Sequence, residues 1–396
     1  MASILDTTAE LSIALLLTVG LSACAGGPGS RNGASPVQLP AGGYVSAALS
    51  PVATTTHDWL VDGRVINLLL SEPERPEKLP VIVYVPGLGE SSGSGDRWRS
   101  TWSEAGYAVV SVQPILEDEM AWSSALARDG DFKALGRERY GADATRRRLD
   151  LLRSMLVEAE RRSGLGEPGW GRIDWGHAAI AGFDLGAYTA LSMLHPGHKA
   201  AEPAEPVTFR AVIAVSPYAS VSQLAGPERD GLPVLVIGGD SDGDPLGIVE
   251  ANEPSGRLLD RLQGPDRYVL WMAGLTHANL SGSAAADRAA DRKSQASPVA
   301  EGDKGGGRRG RKGSSASGSK GPESSGRNDG EVDVQPDLTA ADARVRMEQA
   351  REVSAAFLDA CLKHDARAKD WLTVSARSWL GANGELRRPP ARANGD

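Results

Sequence analysis

Between Tyr44 and about Gly282, short runs of apolar residues recur along the chain, separated by longer mixed stretches. The clearest are VIVYV (Val81 to Val85), YAVVSV (Tyr107 to Val112), AAIAG (Ala178 to Gly182), RAVIAVS (Arg210 to Ser216), PVLVIGG (Pro233 to Gly239) and YVLWM (Tyr268 to Met272). None alternates polar with apolar positions. A strand with one wet face would alternate, so these runs predict parallel strands covered on both faces. The stretches between them include helical patterns. In Asp143 to Ser163, Leu149, Leu152, Met155 and Leu156 form an apolar stripe at helical spacing. Strand and helix signals in this alternation predict an α/β fold with a doubly wound, mostly parallel sheet.

The pattern stops near Ala284. Residues 284–337 are Gly, Ser, Ala, Lys, Arg and Asp with almost no large apolar side chain. Such a segment buries too little surface to offset its ordering entropy, which predicts a disordered low-complexity insertion. Its basic centre, GGGRRGRKGSSASGSK (Gly305 to Lys320), does not have phosphate-loop spacing and reads as solvated. Periodicity returns at Thr339. The stretch TAAD (Thr339 to Asp342) fits a helix-start capping box. Met347, Ala350, Val353, Phe357 and Ala360 then recur at helical spacing. This helix is expected to pack back on the preceding elements. Residues 44–375 are therefore expected to form one domain interrupted by 284–337, with 376–396 as a polar tail.

Composition adds limits. A chain of 396 residues, 41% of them apolar, is enough for one large domain or two ordinary ones, with a sizeable core. With 51 acidic against 43 basic residues, the formal charge is −8, and no specific nucleic-acid partner is expected. Two cysteines exclude a disulfide framework and a Cys-rich zinc site. One of them, Cys24, ends LSAC after the apolar stretch Leu11 to Ala23, which is too short to span a bilayer comfortably. Residues 1–24 resemble a secretory signal with a bacterial lipobox. They depart from that pattern in Met1 to Glu10, which holds Asp6 and Glu10 but no Lys or Arg where a signal begins positively charged. The resemblance implies a lipid on Cys24, a flexible tether over 25–43 and a membrane-anchored location in the cell envelope, facing the periplasm or exterior.

The candidate chemistry centres on AIAGFDLGAYTAL (Ala179 to Leu191). An apolar strand runs into Gly182-Phe183-Asp184-Leu185-Gly186, and a helix-like stretch of small and apolar residues follows. This is the layout of a nucleophile elbow, G-x-S-x-G, with aspartate in place of serine. Two further candidates follow in chain order, each after an apolar run. VIGGDSDGDP (Val236 to Pro245) carries Asp242, the expected acid, with Asp240 as second choice. WMAGLTHANL (Trp271 to Leu280) carries His277. Nucleophile, acid and histidine in this order, at the carboxyl ends of strands, match the α/β-hydrolase plan. The loop PGLGES (Pro86 to Ser91) offers the Leu88 N–H, which pairs with the Leu185 N–H as a two-donor oxyanion hole. GESSG (Gly89 to Gly93) matches the elbow pattern literally, but no apolar helix follows Ser91 directly. His195 and His198 in HPGH lack a nearby third ligand and read as a helix end, so no metal and no cofactor are expected.

The chain resembles the dienelactone hydrolase and platelet-activating-factor-acetylhydrolase-like bacterial group of α/β-hydrolases. The resemblance runs from HDWLVDGRVINLLL (His57 to Leu70) to SAAFLDACLKHD (Ser354 to Asp365), omitting the insertion. VYVPGLGESSGSGDRWRSTWSEAGYAVVSVQP is similar to that group's oxyanion loop, first helix and next strand. The resemblance implies ester or lactone hydrolysis of small molecules through a serine. Asp184 changes that implication, because a carboxylate attacking an ester would form an anhydride. Attack on an epoxide or a halide-bearing carbon gives an ordinary ester, which a His-activated water hydrolyses. Haloalkane dehalogenases and epoxide hydrolases resemble this elbow and use aspartate there. They carry a cap after the sixth strand, for which Pro217 to Leu232 is too short. Ile115 to Tyr140 is a candidate small lid, with Trp122 facing the pocket. Two functions remain open: an Asp-His-Asp hydrolase, or a catalytically inactive relative that binds a ligand at the envelope.

Overall fold

The computed structural model describes residues 37–47, 49–193, 207–218, 231–244, 246–247, 266–284 and 338–388. Cys24, the signal, most of the tether, residues 285–337 of the insertion, His195 and His198 lie outside the described residues.

The strands are β1 (Val52–Val61), β2 (Arg64–Pro73), β3 (Leu79–Val85), β4 (Ala108–Val112), β5 (Ile173–Phe183), β6 (Phe209–Val215), β7 (Val234–Ser241), β8 (Arg267–Thr276) and β9 (Gly384–Arg387). They form one mixed sheet in the order β1-β2-β4-β3-β5-β6-β7-β8-β9. Pairing is parallel from β4 through β8. It is antiparallel at both margins, where β1, β2 and β9 lie. The six apolar runs correspond to β3 through β8. β3 shows why they do not alternate. Val81, Val83 and Val85 pack with Leu152, Met155 and Leu156 of the long helix Ala142–Gly164. Ile82 and Tyr84, facing the other way, pack with Trp98 and Trp102 of the helix Asp96–Glu104 and Phe357 of the closing helix Ala340–Leu362. Both faces exclude water, so both need apolar side chains.

The β1–β2 hairpin turns on Asp62 and Gly63, both at positive φ (49° and 74°), the geometry that suits the strands' right-handed twist. At the other margin, the segment read as a polar tail contains the helix Ala376–Leu380 and β9, whose Leu386 is buried against the core. A four-residue strand with one buried apolar side chain is too short to carry a period.

The closing helix begins at TAAD with half of the expected capping box: the Thr339 hydroxyl accepts from the Asp342 N–H at 3.1 Å, while the Asp342 carboxylate accepts from the Thr339 hydroxyl at 2.6 Å and not from its backbone N–H. Its buried Asp359 accepts from the Tyr44, Ser46 and Tyr107 hydroxyls at 2.6–2.7 Å and pairs with Lys363 at 2.7 Å. That carboxylate ties residues 44–46, β4's leading edge and the closing helix together.

Residues 115–140 fold as four short helical turns, Leu116–Glu119, Ala121–Ser123, Ala125–Arg128 and Phe132–Arg139. They are anchored by a fully buried ion pair, Arg148 Nε to Asp118 at 2.9 Å, and by the Gly89 N–H donating to the Asp118 carbonyl at 2.8 Å. The segment is thus fixed to the long helix on one side and to the β3 loop on the other.

Candidate active site

The strand–turn–helix corner at Asp184 exists because two of its residues have no side chain. A Cβ on Gly182 would come within 2.2 Å of the Gly186 backbone, and one on Gly186 within 1.8 Å of the Val85 carbonyl oxygen. With glycine at both places, the helix Leu185–Ser192 starts directly above β5 and against β3. The residue between them takes the bend. Asp184 sits at φ 52°, ψ −115°, a conformation costing a non-glycine residue about 1–3 kcal/mol. Its backbone is held there by its N–H donating to the Val215 carbonyl at 2.9 Å and its carbonyl accepting from the Tyr188 N–H at 3.0 Å.

The Asp184 carboxylate is buried, 4% exposed. Its Oδ2 accepts from the Leu88 N–H at 3.0 Å, and its Oδ1 accepts a short bond from the Tyr140 hydroxyl. The Leu185 N–H also donates to it. The two backbone donors expected to form an oxyanion hole therefore converge on the carboxylate of Asp184 itself. Burial raises the carboxyl above its ordinary range, opposed by the charge of His277 and by these three donors. Tyr140 is buried among apolar neighbours and beside this acid, which keeps its phenol protonated.

Asp242 and His277 meet beyond the ends of β7 and β8. His277 opens a single helical turn, set by the Thr276–Asn279 capping box, and its Nδ1 lies 3.2 Å from Asp242 Oδ1. Two hydroxyls complete the contact. Ser216 Oγ and the Tyr218 hydroxyl each donate to Asp242 Oδ1 at 2.8 Å, and they lie 2.8 and 2.7 Å from His277 Nδ1. The Tyr218 hydroxyl also lies 2.5 Å from the Gly243 carbonyl, like Asp242 an acceptor; with the hydroxyl protons turned to these oxygens, both hydroxyls are acceptors toward the ring, and an imidazole proton on Nδ1 satisfies the contact. Nε2 is then the basic nitrogen. The ring lies between Phe183, 4.7 Å away, and Tyr218, stacked at 4.9 Å. For His277, burial acts to lower the pKa. The bond to Asp242 and the charges of Asp184, Asp242 and Glu90 outweigh it, and the net direction is upward.

Asp184 and His277 share the walls of one pocket of about 240 Å³, with Leu88, Glu90, Trp122 and Phe183. Trp122 reaches it from the 115–140 segment, its indole N–H donating to the Leu88 carbonyl at 3.1 Å. A larger opening of about 390 Å³, lined by Arg64 and by residues of that segment and the long helix such as Glu117 and Arg147, touches none of the three candidates. Asp240 is exposed and caps the Gly274 N–H. Ser91 accepts from the Gly93 N–H at 3.3 Å within its own turn and does not line the 240 Å³ pocket. Among the described residues, no cluster of three or more His, Cys, Asp and Glu side chains could hold a metal ion.

Four site residues escape the sequence patterns: Glu90, Tyr140, Ser216 and Tyr218. Ser216 and Tyr218 had a usable signal, since both directly follow an apolar strand, as Asp184, Asp242 and His277 do. Tyr140 had none, because it reaches Asp184 from 44 residues away.

No protein-family model matches the chain, and no curated protein matches it in sequence.

Proposed function

We propose that the protein is a hydrolase of the α/β-hydrolase type, acting on small organic substrates through an ester of Asp184. The observation that carries this reading is the convergence of Asp184 and His277 on one pocket, with Asp242 holding the far nitrogen of the ring. The strand order and the corner at Asp184 support the fold assignment. In the first step an Asp184 oxygen attacks an sp³ carbon and the leaving group departs with the bonding pair. In the second, His277 Nε2 takes a proton from water, and the hydroxide adds to Cγ of the Asp184 ester. The Leu88 and Leu185 N–H groups, already aimed at that carboxylate, receive the negative charge developing on its oxygen. Collapse releases the alcohol, protonated by His277. The same N–H groups bind the ground-state carboxylate, so little of the machinery has to move between steps.

Ester or lactone hydrolysis is disfavoured by the anhydride it would require. A lipid on Cys24 and an envelope location belong to the same proposal and rest on sequence alone. One observation favours the second reading, a binding protein without turnover: both Asp184 oxygens already accept hydrogen bonds. A carboxylate oxygen has two acceptor sites, so one bond on Oδ1 leaves a lone pair for attack.

The readings separate on one variant. His277→Gln keeps the first step and blocks the second. Incubated with a panel of epoxides and haloalkanes, it is expected to gain the mass of one substrate on the peptide containing Asp184. The absence of an adduct across the panel, with no turnover by the unaltered protein, assigns the binding role. Strong activity on activated aryl esters that survives Asp184→Ala would overturn the Asp184 assignment.

A further inference from the structure

A second carboxyl faces the reacting one. Glu90 lies in the loop after β3 and lines the same pocket as Asp184 and His277. Its Oε2 accepts from the Gly87 N–H at 2.9 Å, and among the described residues Oε1 has no protein partner. The loop is clamped from beneath: Gln113 Nε2 donates to the carbonyls of both Gly87 and Glu90 at 3.2 Å. One oxygen is thus fixed to the backbone, and the other is presented to the pocket on a rigid turn.

We propose that Glu90 is the pocket's general acid, delivering a proton to an oxygen leaving group, and that the substrates are epoxides. This rests on the alkyl-aspartate reading of Asp184. The atoms balance over the cycle. An Asp184 oxygen bonds to the epoxide carbon and the ring C–O bond breaks, its electron pair going to oxygen. That oxygen takes the Glu90 proton, leaving a hydroxyalkyl ester and a Glu90 carboxylate. Water then hydrolyses the ester with His277 as base and then acid, which leaves Asp184 protonated. Asp184 returns that proton to Glu90, and the sum is epoxide plus water to diol.

The pocket's chemistry favours oxygen over halide as the leaving group. A halide needs no proton, but it leaves as an anion that N–H donors must hold. Among the described residues, the one indole N–H that reaches the pocket, that of Trp122, is committed to the Leu88 carbonyl. An alkoxide beside a carboxylic acid is neutralised as it forms. Glu90 is suited to hold that proton near neutrality: burial and the charge of Asp184 push it up to about 7, opposed by the Gly87 N–H and His277.

The test compares two probes in the His277→Gln protein, with and without Glu90→Gln. The amide oxygen of Gln still accepts from Gly87, so the turn is preserved, and thermal denaturation verifies it. Adduct formation at Asp184 is timed by peptide mass with styrene oxide and with 1-bromobutane. The ratio of epoxide to bromide rates is expected to fall about 10²-fold or more on Glu90→Gln, the usual scale of general-acid catalysis. The styrene oxide rate falls as pH rises through about 7, and Glu90→Gln loses that dependence. An unchanged ratio, or adducts from the bromide alone, overturns the acid role and leaves Asp184 as nucleophile. No adduct from either probe overturns both readings.

Discussion

Asp184 and Asp242 are the same residue at the ends of two strands of one sheet, and each is nearly or wholly removed from solvent. Their partners differ in kind. Asp184 is met by two backbone N–H groups and a phenol, none of which titrates near neutrality, and it stands in a strained turn. Asp242 is met by an imidazole and by two hydroxyls that also touch that imidazole. In the proposed reading, the first environment surrounds the acid with fixed donors and leaves a lone pair on it free to react. The second spends the carboxylate on orienting a base. Residue type does not separate these roles; the donors each acid meets do.

Substituting each acid gives the largest expected difference. Asp184→Asn removes the attacking carboxylate, and turnover should fall about 10⁴-fold or more, with no adduct trapped in the His277→Gln background. Asp242→Asn leaves the attack intact, so turnover should fall about 10²–10⁴-fold while the alkylated protein still forms. Loss of alkylation in both variants would erase the distinction between the two acids.

The Asp184 end depends on the 115–140 segment, so Asp118→Ala, which leaves Arg148 buried and unpaired, should cost about 3–5 kcal/mol in urea unfolding. Tyr140→Phe leaves Asp184 Oδ1 without its donor and should cost about 1–3 kcal/mol. At the other end the hydroxyls are redundant. Ser216→Ala leaves Tyr218 on Asp242, and the cost should be only about 0.5–1.5 kcal/mol. A Ser216→Ala loss exceeding that of Tyr140→Phe would contradict this ordering.

The pH responses run in opposite directions at the two ends. His277 acts as a base only when neutral, and its pKa is raised, so hydrolysis of the Asp184 ester should rise with pH on a limb above the ordinary 6.5. Asp242→Asn removes the hydrogen bond and the charge that raise it and should move that limb down. Glu90 affects folding. Its carboxyl goes from an ordinary 4.5 in the unfolded chain to about 7 in the fold, so the folded state binds the extra proton between those values. Stability should therefore fall as pH rises through that window, by on the order of 3 kcal/mol for this group alone. Glu90→Gln should raise the melting temperature at pH 8 and leave it nearly unchanged at pH 4.5; equal shifts at both would contradict this.

The central strands were legible because burial on both faces demands unbroken apolar runs, as Val81 to Val85 illustrates. The corner was legible because Gly182 and Gly186 are dictated by backbone approach, which leaves a fixed spacing in sequence. Asp242 and His277 were found by their place after apolar strands. The β1–β2 hairpin carried a usable Asp62-Gly63 turn signal. β9 did not, with Leu386 alone to mark it. Glu90 and Tyr140 were hidden for a different reason. Their neighbours are set by how a loop and a distant segment close over the sheet, and no local period records that closure.

The alkyl-aspartate claim is tested most directly by one turnover in ¹⁸O-water, with the unaltered protein in excess over styrene oxide. Hydroxide adding to Cγ leaves its oxygen on the protein and sends an original Asp184 oxygen out in the diol. The peptide containing Asp184 is expected to gain one ¹⁸O, about 2 Da, and the diol to form unlabelled. Label in the diol and none on Asp184 would mean that water attacks the substrate directly and that no alkyl-aspartate forms.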